Sequence, residues 1–222
     1  MTYQPPVREH AFILRDVLDI DQHGALPGFA DAPFETVEQI LEAAAQFTGE
    51  VLAPLNPVGD KQGCVWNKDF TVKTPDGFKE AYKQLCDGGW TGLGSDPTYG
   101  GQGLPHVVNL AFSEMSSSAN MAFSMYPGLA HGAYSAIHTG GSDDQKNLYL
   151  PKMISGEWTG TMNLTEPHCG TDLGLCAPRR FRRPTAAIAS PARRSGSAPA
   201  STTCRTTSST WCWPASRAPP PA

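Results

Sequence analysis

The chain changes chemical character abruptly after Leu175, and that break limits what can fold with what. Residues 176–222 hold eight Arg but no Lys, Asp, Glu, Leu or Val, and Arg, Ser, Thr, Ala and Pro fill 39 of the 47 positions. A stretch nearly devoid of aliphatic side chains cannot bury enough apolar surface to offset its ordering entropy, so on its own it is expected to be disordered. Any core must therefore come from the first 175 residues. These carry nine Lys+Arg against 21 Asp+Glu, a net charge of −12, and the tail's arginines bring the whole chain back to −4.

Several function classes fall away on composition. Apolar runs are only a few residues long, far short of the ~20 a membrane span needs, and no basic segment followed by an apolar one opens the chain, so a cytoplasmic protein is expected. The six cysteines (Cys64, Cys86, Cys169, Cys176, Cys204, Cys212) form no C-x-x-C pair, which argues for free thiols over zinc or a disulfide framework.

The first 155 residues read as helices. Glu9 to Ile20 places Phe12, Ile13, Val17 and Ile20 at helical spacing, and Glu35 to Leu52 is strongly amphipathic through Val37, Ile40, Leu41, Ala44, Phe47 and Val51, with Pro54 expected to stop it. Cys64 to Val72 reads as a short extended excursion. Thr74-Pro75 is expected to cap a helix through Tyr82 and Leu85 that closes at Gly88-Gly89. After a Gly-rich loop, Gly92 to Gly103, Pro105 to Met115 and Ala119 to Ile137 are apolar nearly all round, as expected of helices buried in a bundle. Ser142-Asp143-Asp144-Gln145 is a capping box opening a further helix. From Glu157 to Leu164 polar and apolar residues interleave as in a first β-strand.

Most candidate chemistry reads as architecture. Tyr99-Gly100-Gly101-Gln102-Gly103 lacks the preceding strand and the G-K-S/T of a phosphate cradle, and reads as a flexible connector. His131 and His138 lie two turns apart with no third ligand, and Asp143 and Asp144 belong to a cap. The run Met162-Asn163-Leu164-Thr165-Glu166-Pro167-His168-Cys169-Gly170-Thr171-Asp172 is different. It sets a hydroxyl and successive backbone N–H groups in a turn stiffened by Pro167 and opened by Gly170, which suits an electron-rich ring edge or a phosphate as well as an ordinary loop.

That segment resembles the flavin-binding signature of the acyl-CoA dehydrogenases, an aliphatic residue, Ser or Thr, then E-P-x-x-G-S/T-D. The run Y-P-G-L-A-H-G-A-Y-S-A-I through Q-K-N-L-Y-L-P-K-M-I-S-G-E-W-T-G-T-M-N-L-T-E-P, the opening V-R-E-H-A-F-I-L-R-D-V-L and Gly88-Gly89-Trp90 resemble the branch acting on 3-methylmercaptopropionyl-CoA. Asn163, Cys169 and Leu175 stand where the general signature prefers small residues. The resemblance implies a mainly α chain: an N-terminal helical bundle domain (1–155), the first strand of a truncated β-domain carrying the flavin turn (156–175), and the tail (176–222). It implies FAD, with Met162, Leu164, Thr165, Gly170 and Thr171 at the cofactor and Thr171 also near the acyl-CoA thioester. It further implies an oxidoreductase acting on CH–CH groups, an electron-transfer acceptor flavoprotein as partner and a homo-oligomer for the intact protein. The family's catalytic base, a glutamate, is expected in a C-terminal helical domain beyond this chain, so no catalytic residue is assigned, Glu166 belongs to the turn, and the chain is expected to be inactive as it stands.

Two readings of the tail remain. Eight arginines suit a cationic arm, which would make the chain a non-catalytic helical interaction module. Alternatively the tail is out of frame. Because Trp has one codon, Trp211-Cys212-Trp213-Pro214 back-translates in the neighbouring frame to an aliphatic residue, Val, Leu and Ala, and Ser190 to Ser197 permits I-T-G-T-K-I-W-I, a β-domain pattern. The second reading is favoured, with no nucleic-acid partner expected.

Overall fold

The computed structural model describes residues 3–26, 28–162, 171, 181–182 and 188–189. Six α-helices dominate: α1 (Val7–Phe12), α2 (Phe34–Gln46), α3 (Ala53–Gln62), α4 (Phe78–Asp87), α5 (His106–Gly140) and α6 (Asp143–Ile154). Strands β1 (Val65–Trp66) and β2 (Val72–Lys73) pair antiparallel as a hairpin, in the stretch expected to be extended, with Trp66 opposite Val72. In the tail, β3 (Phe181–Arg182) pairs antiparallel with β4 (Ile188–Ala189), where the sequence pattern pointed to no strand.

Helical periodicity sets the core. Phe34, Val37, Leu41 and Ala44 line the inner side of α2, and Phe78, Ala81, Tyr82 and Leu85 that of α4; all are buried. They close on Leu14 and Ile20 from the first segment and on Val108, Phe112, Met115 and Phe123 of α5. Phe47, Trp90 and Phe112 stack at the centre, with Trp90 and Phe112 centroids 4.7 Å apart. A smaller cluster of Tyr134, Leu150, Met153 and Ile154 joins α5 to α6.

Proline does not stop the second helix. A wide π-helical turn, Phe47–Leu52, carries α2 directly into α3, so Pro54 falls in the first turn of α3, where a missing N–H costs least. Within that turn the buried Thr48 hydroxyl donates to the carbonyls of Ala44 (2.8 Å) and Ala45 (3.3 Å). The first helix likewise ends in a π-turn, Ile13–Val17. Thr74 is not the cap of α4; Gly77 at φ 83° is, because the chain turns there so closely that a Cβ would fall 2.7 Å from a Leu55 methyl. The capping box of α6 is present as expected: Gln145 N–H donates to the Ser142 hydroxyl (3.4 Å) and Ser142 N–H to the Gln145 side chain (2.9 Å).

The two apolar helices expected around 105–137 form one helix, α5, broken at Asn120. Nor is it buried all round, since Leu110, Met121 and Met125 are each more than half exposed. The strand expected over 157–164 is a non-helical segment up to Met162 with no ladder partner among the described residues.

Candidate functional site

The site is built where α5, α6 and the Gly-rich loop meet. Past α6 the chain reverses at Gly156, whose φ of 74° and whose position 2.3 Å, measured from a would-be Cβ, from Cys86 Sγ admit only glycine. The Tyr82 hydroxyl donates to the Gly156 carbonyl at 3.1 Å, and Thr91 donates to that of Ile154 at 2.6 Å. Gly160 lies so close to α5 that a Cβ there would meet Ala133 Cβ at 2.3 Å. Thr159 is buried, with its hydroxyl 3.2 Å from the hydroxyl of Tyr126, whose ring meets Tyr82 edge-on at 5.1 Å. In this anchored lead-in Met162 is 59% exposed.

Of the residues singled out for the flavin turn, Met162 follows the Gly156–Gly160 anchor and is exposed, and Thr171 is exposed. Leu164, Thr165 and Gly170 lie outside the described residues, as do Glu166, Cys169 and Leu175.

The Gly-rich loop is not a flexible connector. Gln102 N–H donates to Gly92 O, Gly103 N–H to Ser95 O and Leu104 N–H to Leu93 O, each at 2.9 Å, and a Cβ on Gly101 would fall 2.1 Å from the Ser95 carbonyl oxygen. The loop is pinned to α5 through Asp96, a residue that the sequence pattern did not mark. Its carboxylate lies 3.0 Å from His138 Nε2 and accepts the Thr98 N–H at 2.8 Å, while its own N–H donates to the Tyr134 hydroxyl at 2.8 Å. The His138 bond first, and then the Thr98 amide, hold Asp96 down to about 2. Tyr134 is sandwiched between the stacked rings of His131 and His138, and burial first, then the nearby His106, keeps His131 below the usual imidazole range. His131 is half-buried and His138 is partly open to solvent at 41% exposure; among the described residues no cluster suits a metal.

A cavity of about 30 Å³ lies between Tyr82, Thr91, His131 and Met153. That is room for one water, not a substrate. A shallower groove of about 320 Å³, lined by Ala133, Ala136, Ile137 and Tyr149, runs along the outside of α5 and α6. Among the described residues, Cys64 is exposed and Cys86 half-buried, and neither is in a disulfide. No helix among them is long and apolar enough to cross a membrane.

The family pattern described as acyl-CoA dehydrogenase, N-terminal domain, matches residues 35–157. A 3-methylmercaptopropionyl-CoA dehydrogenase of Ruegeria pomeroyi is 42% identical over 173 residues, covering 78% of this chain and 29% of that protein. The chain spans about three tenths of the length of the curated relatives it matches first. Among solved structures, butyryl-CoA dehydrogenase from Megasphaera elsdenii superposes with a TM-score of 0.58 at 21% identity, covering 69% of this chain and 38% of that one. An acyl-CoA dehydrogenase complexed with FAD from Bacillus anthracis gives 0.54 at 23% identity, covering 66% and 23%. At those identities the two structures speak for the fold alone, but the match over 35–157 joins the sequence to it: the chain belongs to the acyl-CoA dehydrogenase family, whose N-terminal domain it contains.

Proposed function

We propose that the chain is the N-terminal portion of an FAD-dependent acyl-CoA dehydrogenase that introduces a double bond between Cα and Cβ of an acyl-CoA thioester, with 3-methylmercaptopropionyl-CoA as the substrate class. The carrying observation is the 42% identity over 173 residues to a dehydrogenase of that name. The lead-in supports it. A planar ring bound through main-chain N–H groups needs a rigid approach, and Gly156, Thr159 and Gly160 fix the approach ahead of the exposed Met162. On this reading Met162, Leu164 and Thr165 meet the flavin by backbone and hydroxyl, Gly170 opens the turn, and Thr171 stands near flavin and thioester.

A flavin bound there supplies a two-electron acceptor for the hydride from Cβ. This chain's residues hold and orient it; removal of the Cα proton falls to a carboxylate of a C-terminal helical domain, and Glu166 stays with the turn. In this division residues 1–155 form the helical domain, 156–175 open the β-domain and 176–222 are out of frame. An electron-transfer flavoprotein as acceptor, a homo-oligomeric intact enzyme and a cytoplasmic location complete the proposal.

FAD titration followed by flavin fluorescence tests the reading. Thr165→Ala, made in the frame-restored full-length protein, weakens FAD binding by roughly 1–3 kcal/mol, the cost of an unpaired polar edge; unchanged affinity refutes the role of Thr165. The 222 residues alone do not reduce a dye with any acyl-CoA in the presence of FAD, and turnover above a blank refutes that assignment of the base.

A further inference from the structure

Asn120 is the one position within α5 whose backbone leaves the helical region, at φ −159° and ψ 88°, and it is only 1% exposed. A buried amide needs its hydrogen-bond partners within the protein, and here the oxygen bonds within α5 while the nitrogen reaches a second element. Its Oδ1 accepts the N–H of Phe123 at 3.0 Å, three residues on, which is how an N-cap residue starts a helix. Its Nδ2 donates at 3.2 Å to the carbonyl of Leu52, the last residue of the π-turn between α2 and α3. The Ser124 hydroxyl donates to its main-chain carbonyl at 3.0 Å. In effect α5 is two helices, His106–Ala119 and Met121–Gly140, and Asn120 both starts the second and ties it to the rest of the bundle.

The second half packs against the lead-in, which α4 also holds through Tyr82 and Cys86. Tyr126 meets Thr159, Gly160 packs on Ala133, and the Leu129 carbonyl lies 3.2 Å from where a Gly160 Cβ would be. The direction of Met121–Gly140 therefore sets the part of the lead-in around Thr159 and Gly160, while Tyr82 holds its start at Gly156.

We propose that Asn120 is a positioning residue: by capping the second half of α5 and clamping it to Leu52, it sets the place of the Gly156–Met162 lead-in on the bundle. Its meaning for the reaction rests on the flavin reading of the residues that follow, whereas the positioning stands on geometry alone.

Hydrogen exchange read by mass spectrometry on the full chain tests it. Asn120→Ala raises exchange about tenfold over residues 123–130 and 156–162 and leaves α2 and α4 at wild-type rates, as a local opening does. Asn120→Ser, which keeps a capping oxygen but cannot reach Leu52, returns 123–130 toward wild type while 156–162 stays raised. Thr159→Val raises 156–162 alone. Wild-type exchange at 156–162 in both Asn120 variants, or an equal rise in α2 and α4, overturns the proposal. If Asn120→Ala fails to fold, the serine variant decides. An FAD titration of the frame-restored full-length protein separates the two ideas: if that protein binds no FAD the flavin reading fails, and the exchange pattern still settles the role of Asn120.

Discussion

Through its carboxylate and its amide Asp96 gathers three bonds onto one residue at the edge of the bundle, and its depressed pKa makes its contribution a function of pH. A carboxyl held below its unfolded value stabilises the fold fully above the unfolded pKa, ordinarily 3.8, and loses that contribution as pH falls through its folded value of about 2. Asp96→Asn should accordingly lower the melting temperature at pH 7, and the gap to wild type should close between pH 4 and 2. With the carboxylate and His138 side chains 31% and 41% exposed, solvent screening keeps the effect at about 1 kcal/mol or less. Thermal unfolding followed at pH 7, 4 and 2.5 checks it, and a gap constant across that range contradicts the pairing. This residue shows why single positions were harder to read than motifs. His138 was visible, but its partner lies 42 positions away on a loop whose glycines drew attention to themselves rather than to Asp96. Pairings across such separations come from packing, which no local pattern encodes.

Helices were legible wherever one signal acted alone. The capping box of α6 and the inner faces of α2 and α4 follow from spacing, because cap chemistry and a 3.6-residue period are local. Ser142→Ala should cost about 1 kcal/mol, read as a lower urea midpoint at unchanged slope; no shift would mean that the cap bond carries nothing. Misreadings came where a proline or polar residue competed with tertiary bonds. Pro54 was expected to end a helix, but the π-turn ahead of it places it in a first turn. Asn120 gave no signal in an apolar stretch, since its bend depends on the carbonyl of Leu52 far back in the chain. In the candidate site, the turn carries a family resemblance in its residues, whereas the anchoring of the lead-in by Tyr82, Tyr126 and Ala133 leaves no local signal, because those contacts join α4, α5 and the chain beyond α6.

At the scale of the molecule, the outer side of α5 is the unusual surface. Leu110, Met121 and Met125 stand 58–60% exposed along one helix, an apolar area that chains in isolation tend to cover by association. Replacing Met121 and Met125 with Gln should shift the sedimentation profile of the purified chain toward monomer without lowering its melting temperature; an unchanged profile would place the association elsewhere. The π-turn between α2 and α3 has a consequence for the whole assembly of a different sort. A wide turn is equivalent to one residue inserted in a continuous rod, and each residue of helix turns its successors by about 100°. Beyond it, Leu55 and Gly59 share one side of α3, which faces Gly77 and the Phe78 ring. Deleting a single residue between 47 and 51 would regularise the rod yet swing that side away from its neighbours, so a shorter, locally better helix would sit out of phase with the bundle it serves.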